Sequence, residues 1–434
     1  MQYARWILAC LLLLTGTGGC FHAGYAPLGS AWNAVRPFSR EGAEVDRQPI
    51  RADVSSVPSP EELAGRARRG GDLPWTAMGE SETQQLAASR AVMADLLLQE
   101  SDAVVAQSPL VGANAEAARA VRMGLAMQSV EERNRAAASA LELLLRLAEA
   151  EAGLERLAQS EEEVQGMAAD LERVRAQGLS SPLTNADIDR QRWDLVRQAE
   201  GLRATRRQLH RQLADLLALD PSDPRPVWPA VDLTVTAEPI DEEEAVATAL
   251  ATRADLAALR YFRNTAEPRT LPAIQQALSA VHPGLGVSVG SSCRCRTGRP
   301  GGREDALQDR SWQLEALLAD RERAVVREVR AAVQEIETRL RQVATARRLC
   351  DAERNRLENL RQQQLVGAAT PLDIRRARLE VIKSDQQLLS DVIQWKIAVV
   401  KLKAAQGLLA AECGYSFADA CHRAGARSGF TAAH

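Results

Sequence analysis

The middle of the chain recurs in its last third at a fixed offset of 186 residues. Two pairs of segments carry this repeat: 171–179 with 357–365, and 184–192 with 370–378. In the second pair, both copies read Thr-x-x-Asp-Ile-x-Arg-x-Arg. The period is far longer than that of short solenoid repeats, which is at most about 50 residues. The chain therefore contains two copies of one large structural unit.

Apolar residues recur at coiled-coil spacing before each turn of the repeat. In the first copy the spacing alternates between three and four residues, through Leu147, Ala150, Leu154, Leu157, Glu161, Val164, Ala168 and Leu171. The second copy has Val333, Ile336, Leu340, Val343, Arg347, Cys350, Arg354 and Leu357 at these positions. Glu161 and Arg347 share one position with opposite charges. They are either two solvated residues or a pair that fixes the register between the two copies.

After each turn, apolar residues recur at every seventh position. These positions are Ile188, Leu195, Leu202, Leu209 and Leu216 in the first copy, and Ile374, Val381, Leu388, Trp395 and Leu402 in the second. Two heptad-patterned segments separated by a short turn predict an antiparallel helical hairpin. The fold class is therefore mainly α, with two tandem long antiparallel coiled-coil hairpins and little β structure.

Each turn contains a glycine, then a threonine, then an aspartate three residues after the threonine. These residues are Gly178, Thr184 and Asp187 in the first turn, and Gly367, Thr370 and Asp373 in the second. A threonine followed by an acid in the first helical turn is typical of a helix N-terminus. Pro371 fits the first helical position. We therefore expect the second helix of each hairpin to begin directly after its threonine.

The composition favours helices over an ordinary enzyme core. Aromatic residues make up only 4% of the chain, and Ala, Leu, Arg, Glu and Gln dominate, as in long helices and coiled coils. The only strand candidates are 231–237, 284–290 and, more weakly, 312–318. Residues 294–305 are predicted to form a loop. A net charge of −3 provides no basic face for nucleic acid. We therefore expect no nucleic-acid partner.

The N-terminus resembles an export signal. Arg5 precedes the apolar segment 6–14, and the small residues 15–19 lead to Cys20. Gly18-Gly19-Cys20 is similar to the end of a bacterial lipobox, although Thr17 stands where an aliphatic residue is usual. Cys20 is therefore the predicted lipidation site, with plain secretion as the alternative.

The pattern divides the chain into six parts. We expect a signal peptide with lipobox at 1–20, a proline-rich disordered tether at 21–82, and helical repeat 1 at 83–220. A linker follows at 221–240, then helical repeat 2 at 241–412, with a first helix at 241–265, and an irregular tail at 413–434.

The cysteines and histidines form no catalytic or metal-binding pattern. Cys293 and Cys295 have no His or Cys partner at zinc-site spacing, and the five histidines are scattered. No glycine-rich phosphate loop, HExxH motif or nucleophile elbow is found. We therefore expect no enzyme activity, no metal and no cofactor.

Three segments resemble the TolC-like family of outer membrane efflux proteins. Segment 243–256, which contains Arg253-Ala-Asp255-Leu256, resembles the opening of the family's second repeat, with Ala254 in place of a proline. Segment 366–374 is similar to the family's second hairpin tip, and 402–408 resembles the end of that repeat. The resemblance extends over residues 115–220 and 240–410.

The resemblance implies a homotrimer in which each chain is a TolC-like α-barrel protomer. Such a trimer is an outer-membrane-associated efflux duct that passes solutes in a tripartite export system. The six turn residues given above would form tips that dock a periplasmic adaptor (membrane fusion) protein, and through it an inner-membrane pump. At the second tip, Asp373 matches one acidic gating position of the archetypal member, and Arg376 replaces the other.

The sequence also departs from the family pattern. The family has two outer-membrane strands in each repeat, whereas this chain offers only 284–291 and 312–318, so those strands are expected to be degenerate or missing. The alternative function is a non-conducting periplasmic coiled-coil structural lipoprotein. In either case the resemblance implies the periplasmic face of the outer membrane, with Cys20 as the anchor.

Overall fold

The computed structural model describes residues 76–107, 113–176, 183–220, 226–235, 239–281 and 302–416, with Gly178, Leu285 and residues 418–419. Within these ranges two strands and ten helices follow one another. They are β1 (Thr76–Gly79), α1 (Glu80–Ser89), α2 (Val92–Gln107), α3 (Ala113–Ala176), α4 (Asn185–Leu216), β2 (Val227–Ala230), α5 (Glu242–Thr252), α6 (Ala254–Asn264), α7 (Leu271–Val281), α8 (Gly302–Leu365), α9 (Pro371–Gln406) and α10 (Leu408–Glu412).

Two long antiparallel hairpins dominate the structure, α3 with α4 and α8 with α9. Helices α3 and α8 contain 64 residues each, which corresponds to about 95 Å of helix. Most heptad positions lie inside the hairpins: Leu147 and Val333 are both buried, as are Val164 and its counterpart Cys350, whereas Arg354 is exposed. The predicted fold of two tandem coiled-coil hairpins is confirmed.

The four long helices form one layer. Helix α4 packs against α3, α3 packs against α9, and α9 packs against α8. Helix α9 is therefore covered on two sides, and buried residues recur along its whole length. Helices α4 and α8 lie at the two outer edges of the layer. This order gives the layer one internal interface between hairpins, α3 with α9.

The short elements pack around the end of the layer opposite the hairpin turns. Strands β1 and β2 pair in parallel, with Thr76 opposite Val227 and Gly79 opposite Ala230. Helices α1, α2, α6 and α7 pack against α3, and α5 packs against α8 and α9. A continuous apolar core joins these elements to the long helices, from Met78 through Leu144 to Val392.

Several sequence-based boundaries differ from the structure. The tether was expected to reach residue 82, whereas β1 begins at Thr76 and α1 at Glu80. The strand predicted at 231–237 is wrong over 231–235, the described part of this segment, because β2 ends at Ala230. The strand at 312–318 is also wrong, since these residues lie within α8 and Leu314 and Leu318 are buried at helical spacing.

The predicted helix at 241–265 is two helices, α5 and α6, which meet at Arg253. The loop expected at 294–305 ends earlier, because α8 begins at Gly302. The remaining strand candidate, 284–291, and the proposed lipidation site Cys20 lie outside the described residues, apart from Leu285. Among the helices of the described ranges, none combines the length and the hydropathy needed to cross a membrane.

Candidate functional site

The first hairpin tip is built from a glycine and a capping threonine. Gly178 has a φ of +72°, a left-handed conformation that glycine adopts without a steric penalty. Thr184 then caps α4: its Oγ1 accepts from the Asp187 backbone N–H at 3.2 Å, and the Asp187 carboxylate accepts from the Thr184 backbone N–H at 3.0 Å. This reciprocal arrangement is a capping box, as the sequence predicted.

The second hairpin tip repeats this geometry. Gly367 has a φ of +76°, and Thr370 and Asp373 form the same capping box, with bonds of 3.3 and 3.0 Å. Pro371 occupies the first helical position of α9, as expected. The two return helices therefore begin with the same capping box, which explains why their threonine and aspartate recur at the fixed offset.

The capping hydrogen bonds lower the pKa of the aspartate at each tip. Hydrogen bonds from the side chain and backbone of Thr184 lower the pKa of Asp187. At the second tip, the side-chain bond from Thr370 lowers the pKa of Asp373 against an opposing effect of burial. Asp373 is thus an N-terminal helix acid whose carboxylate is engaged by the cap.

The second tip exposes an apolar pair. Leu365 and Val366, at the end of α8, are 81% and 80% exposed. These two adjacent apolar side chains form a candidate contact surface. In the sequence, Leu365 is only the last residue of the repeated segment 357–365; its exposure distinguishes it in the structure.

A charged link joins the two hairpins near their tips. Arg375 of α9 donates from Nε to the Asp170 carboxylate at 2.6 Å and from Nη1 to the Glu163 carboxylate at 3.0 Å. Arg378 also contacts Glu163, at 3.2 Å. Asp170 is only 3% exposed, and its carboxylate also accepts a hydrogen bond from Arg173 of its own helix, so two arginines compensate this buried acid. The hydrogen bond to Asp170 is the main reason that the pKa of Arg375 is raised.

Apolar residues from three helices surround the charged link. Leu372 and Leu379 of α9 pack with residues of α3 and α4 in one cluster, which includes Val164, Met167, Leu171 and Ile188. Glycine at position 166 leaves room for the Arg375 guanidinium, since a Cβ there would lie 2.1 Å from Nη1. The link is therefore a packed element of the α3–α9 interface.

This link differs from the Glu161–Arg347 pair considered from the sequence. Glu161 accepts a hydrogen bond from Gln165 on its own helix, at 3.4 Å. Near the tips, Glu163 and Asp170 of α3 join the hairpins instead, through Arg375 and Arg378 of α9. The heptad pattern missed them because they lie off the seam, on the face of α3 that meets α9.

A second charged cluster lies where α5 meets α6, in the segment that resembles the family motif. Arg253 donates to the Asp255 carboxylate at 2.8 Å, to the Glu328 carboxylate at 2.7 Å and to the Ala405 carbonyl at 3.1 Å. Arg321 of α8 donates to Asp255 at 2.7 Å. These bonds hold α5, α6, α8 and the end of α9 together.

Burial and the neighbouring arginines have opposite effects on the pKa of Asp255 in this cluster. Burial alone would raise the pKa of Asp255, but bonds from Arg253 and Arg321 outweigh it and lower the pKa to about 2. Glu131 of α3, close to the same cluster, has its pKa raised, chiefly by burial and then by the charge of Asp255. The cluster is therefore organised around the ionised Asp255.

The first repeat contains an equivalent of Arg253. Arg90, between α1 and α2, donates to the Leu217 carbonyl at 2.9 Å and to the Ala218 carbonyl at 3.2 Å, at the end of α4. In each repeat, an arginine between two short helices therefore binds the end of the hairpin's return helix. Arg90 and Arg253 do not share the 186-residue offset, so the sequence repeat did not reveal the pair.

Solved outer membrane channels have the same fold. The Campylobacter jejuni CmeC outer membrane channel is 9% identical, with a TM-score of 0.54, and the match covers 76% of this chain and 85% of that chain. CusC, whose structures address folding and transmembrane channel formation, is 13% identical, with a TM-score of 0.57 over 75% of this chain and 92% of CusC. The outer membrane protein VceC from Vibrio cholerae is 16% identical, with a TM-score of 0.50 over 68% and 75% of the chains.

No protein-family model and no curated protein matches the chain. At identities this low, the structural matches establish the fold and not the activity. They cover two thirds or more of each chain. The TolC-like hairpin fold expected from the three sequence segments is therefore confirmed at the level of structure.

Proposed function

We propose that the protein is the duct of an outer-membrane efflux system, a homotrimer that passes solutes through a tunnel lined by its long helices. One observation carries this proposal: the layer of two long hairpins has the fold of proteins described as outer membrane channels, over most of the chain. Passage through such a duct requires no catalytic group of the chain itself.

The hairpin tips are the proposed docking sites for a periplasmic adaptor protein and, through it, an inner-membrane pump. Gly178, Thr184 and Asp187 shape the first tip, and Gly367, Thr370 and Asp373 shape the second. The capping boxes support this role, because they fix where α4 and α9 begin at the two tips. The exposed side chains of Leu365 and Val366 offer apolar contact area at the second tip.

Lipidation of Cys20 and residence at the periplasmic face of the outer membrane complete the proposal. The lipobox-like residues before Cys20 support the anchor. Mass spectrometry of the mature protein tests it: a diacylglyceryl group on an N-terminal Cys20 is expected, and a mature N-terminus elsewhere would contradict it.

Reconstitution tests the duct. The full chain, purified in mild detergent, is expected to have the mass of a trimer by light scattering and to give discrete conductance steps in planar bilayers. It should also bind an adaptor protein, and Leu365→Ser with Val366→Ser should weaken that binding without changing the trimer. A monomer that gives no conductance and binds no adaptor would contradict the proposal.

The second candidate function is a non-conducting structural lipoprotein that acts as a periplasmic spacer. The length of α3 and α8, about 95 Å of helix each, favours it. Conductance separates the two functions. A trimer that remains silent in bilayers, while the folded state is verified by circular dichroism, would support the spacer.

A further inference from the structure

A buried glutamate lies beside the interface that joins α3, in the first repeat, to α6, in the second. Met127 and Val130 of α3 pack with Ala254 of α6 in one apolar cluster at this interface. Glu131 follows Val130 directly, and its side chain is only 14% exposed. A carboxyl group thus lies at the edge of an apolar contact between the two repeats.

The cation beside Glu131 on its own helix compensates it only in part. Nε of Arg135, one helical turn further along α3, lies 3.3 Å from the Glu131 carboxylate. Arg135 is 58% exposed, and it also donates to the Glu132 carboxylate at 2.9 Å. An exposed and shared arginine attracts a buried carboxylate weakly, because water and salt screen its charge. Ionised Glu131 therefore has a desolvation cost that α3 does not offset.

The arginines on the other side of the interface already have carboxylate partners. Arg253 donates to Asp255 at 3.0 and 2.8 Å and to Glu328 at 2.7 Å. Arg321 of α8 donates to the same two acids, at 2.7 and 3.2 Å. Two guanidinium groups thus bind two carboxylates, and Glu131 is a third acid in their neighbourhood.

The surroundings of Glu131 therefore favour its neutral form. Its pKa is raised, first by burial and then by the charge of Asp255, and these effects exceed the opposite effects of Arg135, Arg253 and Arg321. Each of these three bases also binds another acid. A neutral carboxyl group needs no charge partner, so it stays beside an apolar interface at a far lower cost than a carboxylate.

We propose that Glu131 is a proton-dependent joint between the two repeats: its neutral form lets α3 pack closely on α6, and its ionised form weakens that contact. Proton uptake removes both the repulsion from Asp255 and the desolvation cost of the charge. Because a raised carboxyl pKa favours the packed state in acid, the contact carries no penalty below the ordinary value of about 4.5 and weakens as the pH rises above it.

This pH response is the reverse of the one expected from Asp255, whose lowered pKa makes its contribution disappear in acid. The two acids of one cluster thus oppose each other as the pH changes. The inference goes beyond the proposed function, because it concerns a contact within one chain.

Glutamine at position 131 tests the joint, because it has the shape of the neutral acid and cannot ionise. With the full chain at pH 8, Glu131→Gln is expected to slow amide hydrogen exchange in α6 by about fivefold or more relative to the wild type. At a pH of about 4.5 the two proteins should exchange at the same rate to within about twofold. Mass spectrometry of the peptides that contain α6 measures these rates.

Glu142→Gln is the matched control. Glu142 also lies on α3, where it forms a surface pair with Arg146. Removing its charge should leave exchange in α6 within about twofold of the wild-type rate at both pH values. Equal slowing in both variants would mean that the loss of any glutamate charge on α3 tightens the contact, and would overturn the role of Glu131.

A second variant tests whether Asp255 acts on Glu131. In an Asp255→Asn chain the repelling acid is gone, and Arg253 and Arg321 have lost a partner and attract the Glu131 carboxylate. The effect of Glu131→Gln on exchange at pH 8 should then be at least about threefold smaller than in the wild-type background. An undiminished effect would overturn the assignment of Glu131 to this cluster.

The outcomes separate this inference from the proposed function. Equal or faster exchange in Glu131→Gln at pH 8, or slowing of the same size in acid, would overturn the inference. A monomeric chain that gives no conductance but shows the expected response would contradict the duct and support the joint. A conducting trimer without the response would do the reverse.

Discussion

The guanidinium of Arg375 occupies the space that a side chain on Gly166 would need: a Cβ added to this glycine would lie 2.1 Å from Nη1 and 2.2 Å from Cζ. The missing side chain on α3 thereby lets an arginine of α9 reach both Glu163 and Asp170. The closeness of the two hairpins at this point thus depends on one glycine.

Gly166→Ala should therefore destabilise the protein, although alanine is normally better in a helix by about 1 kcal/mol. The methyl group displaces Arg375, so the buried Asp170 keeps only Arg173 as its partner and the bond across the α3–α9 interface is lost; we therefore expect a net loss of about 1–2 kcal/mol. Chemical denaturation measures it. Gly201→Ala is the control, because nothing lies within 4 Å of a Cβ there; equal stabilisation by both changes would refute the argument.

Arg375→Met should raise the mean conductance of the proposed duct. Without Arg375, α9 loses its bonds to Asp170 and Glu163 and keeps only the Arg378–Glu163 contact to α3, so the two tips separate more easily. The neighbouring Arg376 is exposed and makes Arg376→Met a matched control. Single-channel recordings measure the mean conductance of both variants. An equal change in conductance in both would mean that Arg375 does not restrain the tips.

Thr370→Ala should loosen the start of α9. The threonine satisfies a backbone N–H at the helix terminus, and loss of such a cap costs about 1 kcal/mol. Faster amide hydrogen exchange is expected in the first turn of α9. Thr345 bonds the Arg341 carbonyl within α8, so Thr345→Ala should leave this exchange unchanged. Unaltered exchange in the Thr370 variant would argue against the cap.

Asp255→Asn should lower the free energy of unfolding at neutral pH by removing a contribution that is lost in acid. The folded pKa of about 2 lies below the ordinary value of 3.8. A lowered carboxyl pKa stabilises the fold above the ordinary value, and this contribution is lost as the pH falls through about 2. It amounts to about 2 kcal/mol at neutral pH.

Urea unfolding of the wild type and of Asp255→Asn at neutral pH and at about pH 2 measures this contribution. The difference between the two proteins should be about 2 kcal/mol at neutral pH and should narrow in acid. Asp320, which is exposed in a surface pair with Arg323, provides the control Asp320→Asn. A difference that does not depend on pH would show that Asp255 acts by packing alone.

The parts of the fold that follow from local spacing were predictable. Heptad positions such as Leu147 and Val333 determine which helix face is buried, and Thr184 and Thr370 cap helices through bonds to residues only three positions away. These signals lie within a few residues of one another, so a single sequence contains them. The hairpins and their turns were therefore visible without a structure.

The parts that depend on distant partners were not predictable. Strand β1 forms only because Thr76 meets Val227, and Pro229 within β2 argues against a strand when read alone. Arg375 finds Asp170 across 205 residues. In 312–318, Leu314 and Leu318 fit a short strand or a helix face equally well, and packing against the rest of the protein decides for the helix.

Asp189 of α4 and Arg375 of α9 occupy the same place in the two copies of the repeat, with opposite charges. If α4 of another copy approached α3 in place of α9, Asp189 would meet the acids Glu163 and Asp170, and like charges would repel it. The two hairpins therefore differ enough in charge, despite their common design, to oppose domain swapping.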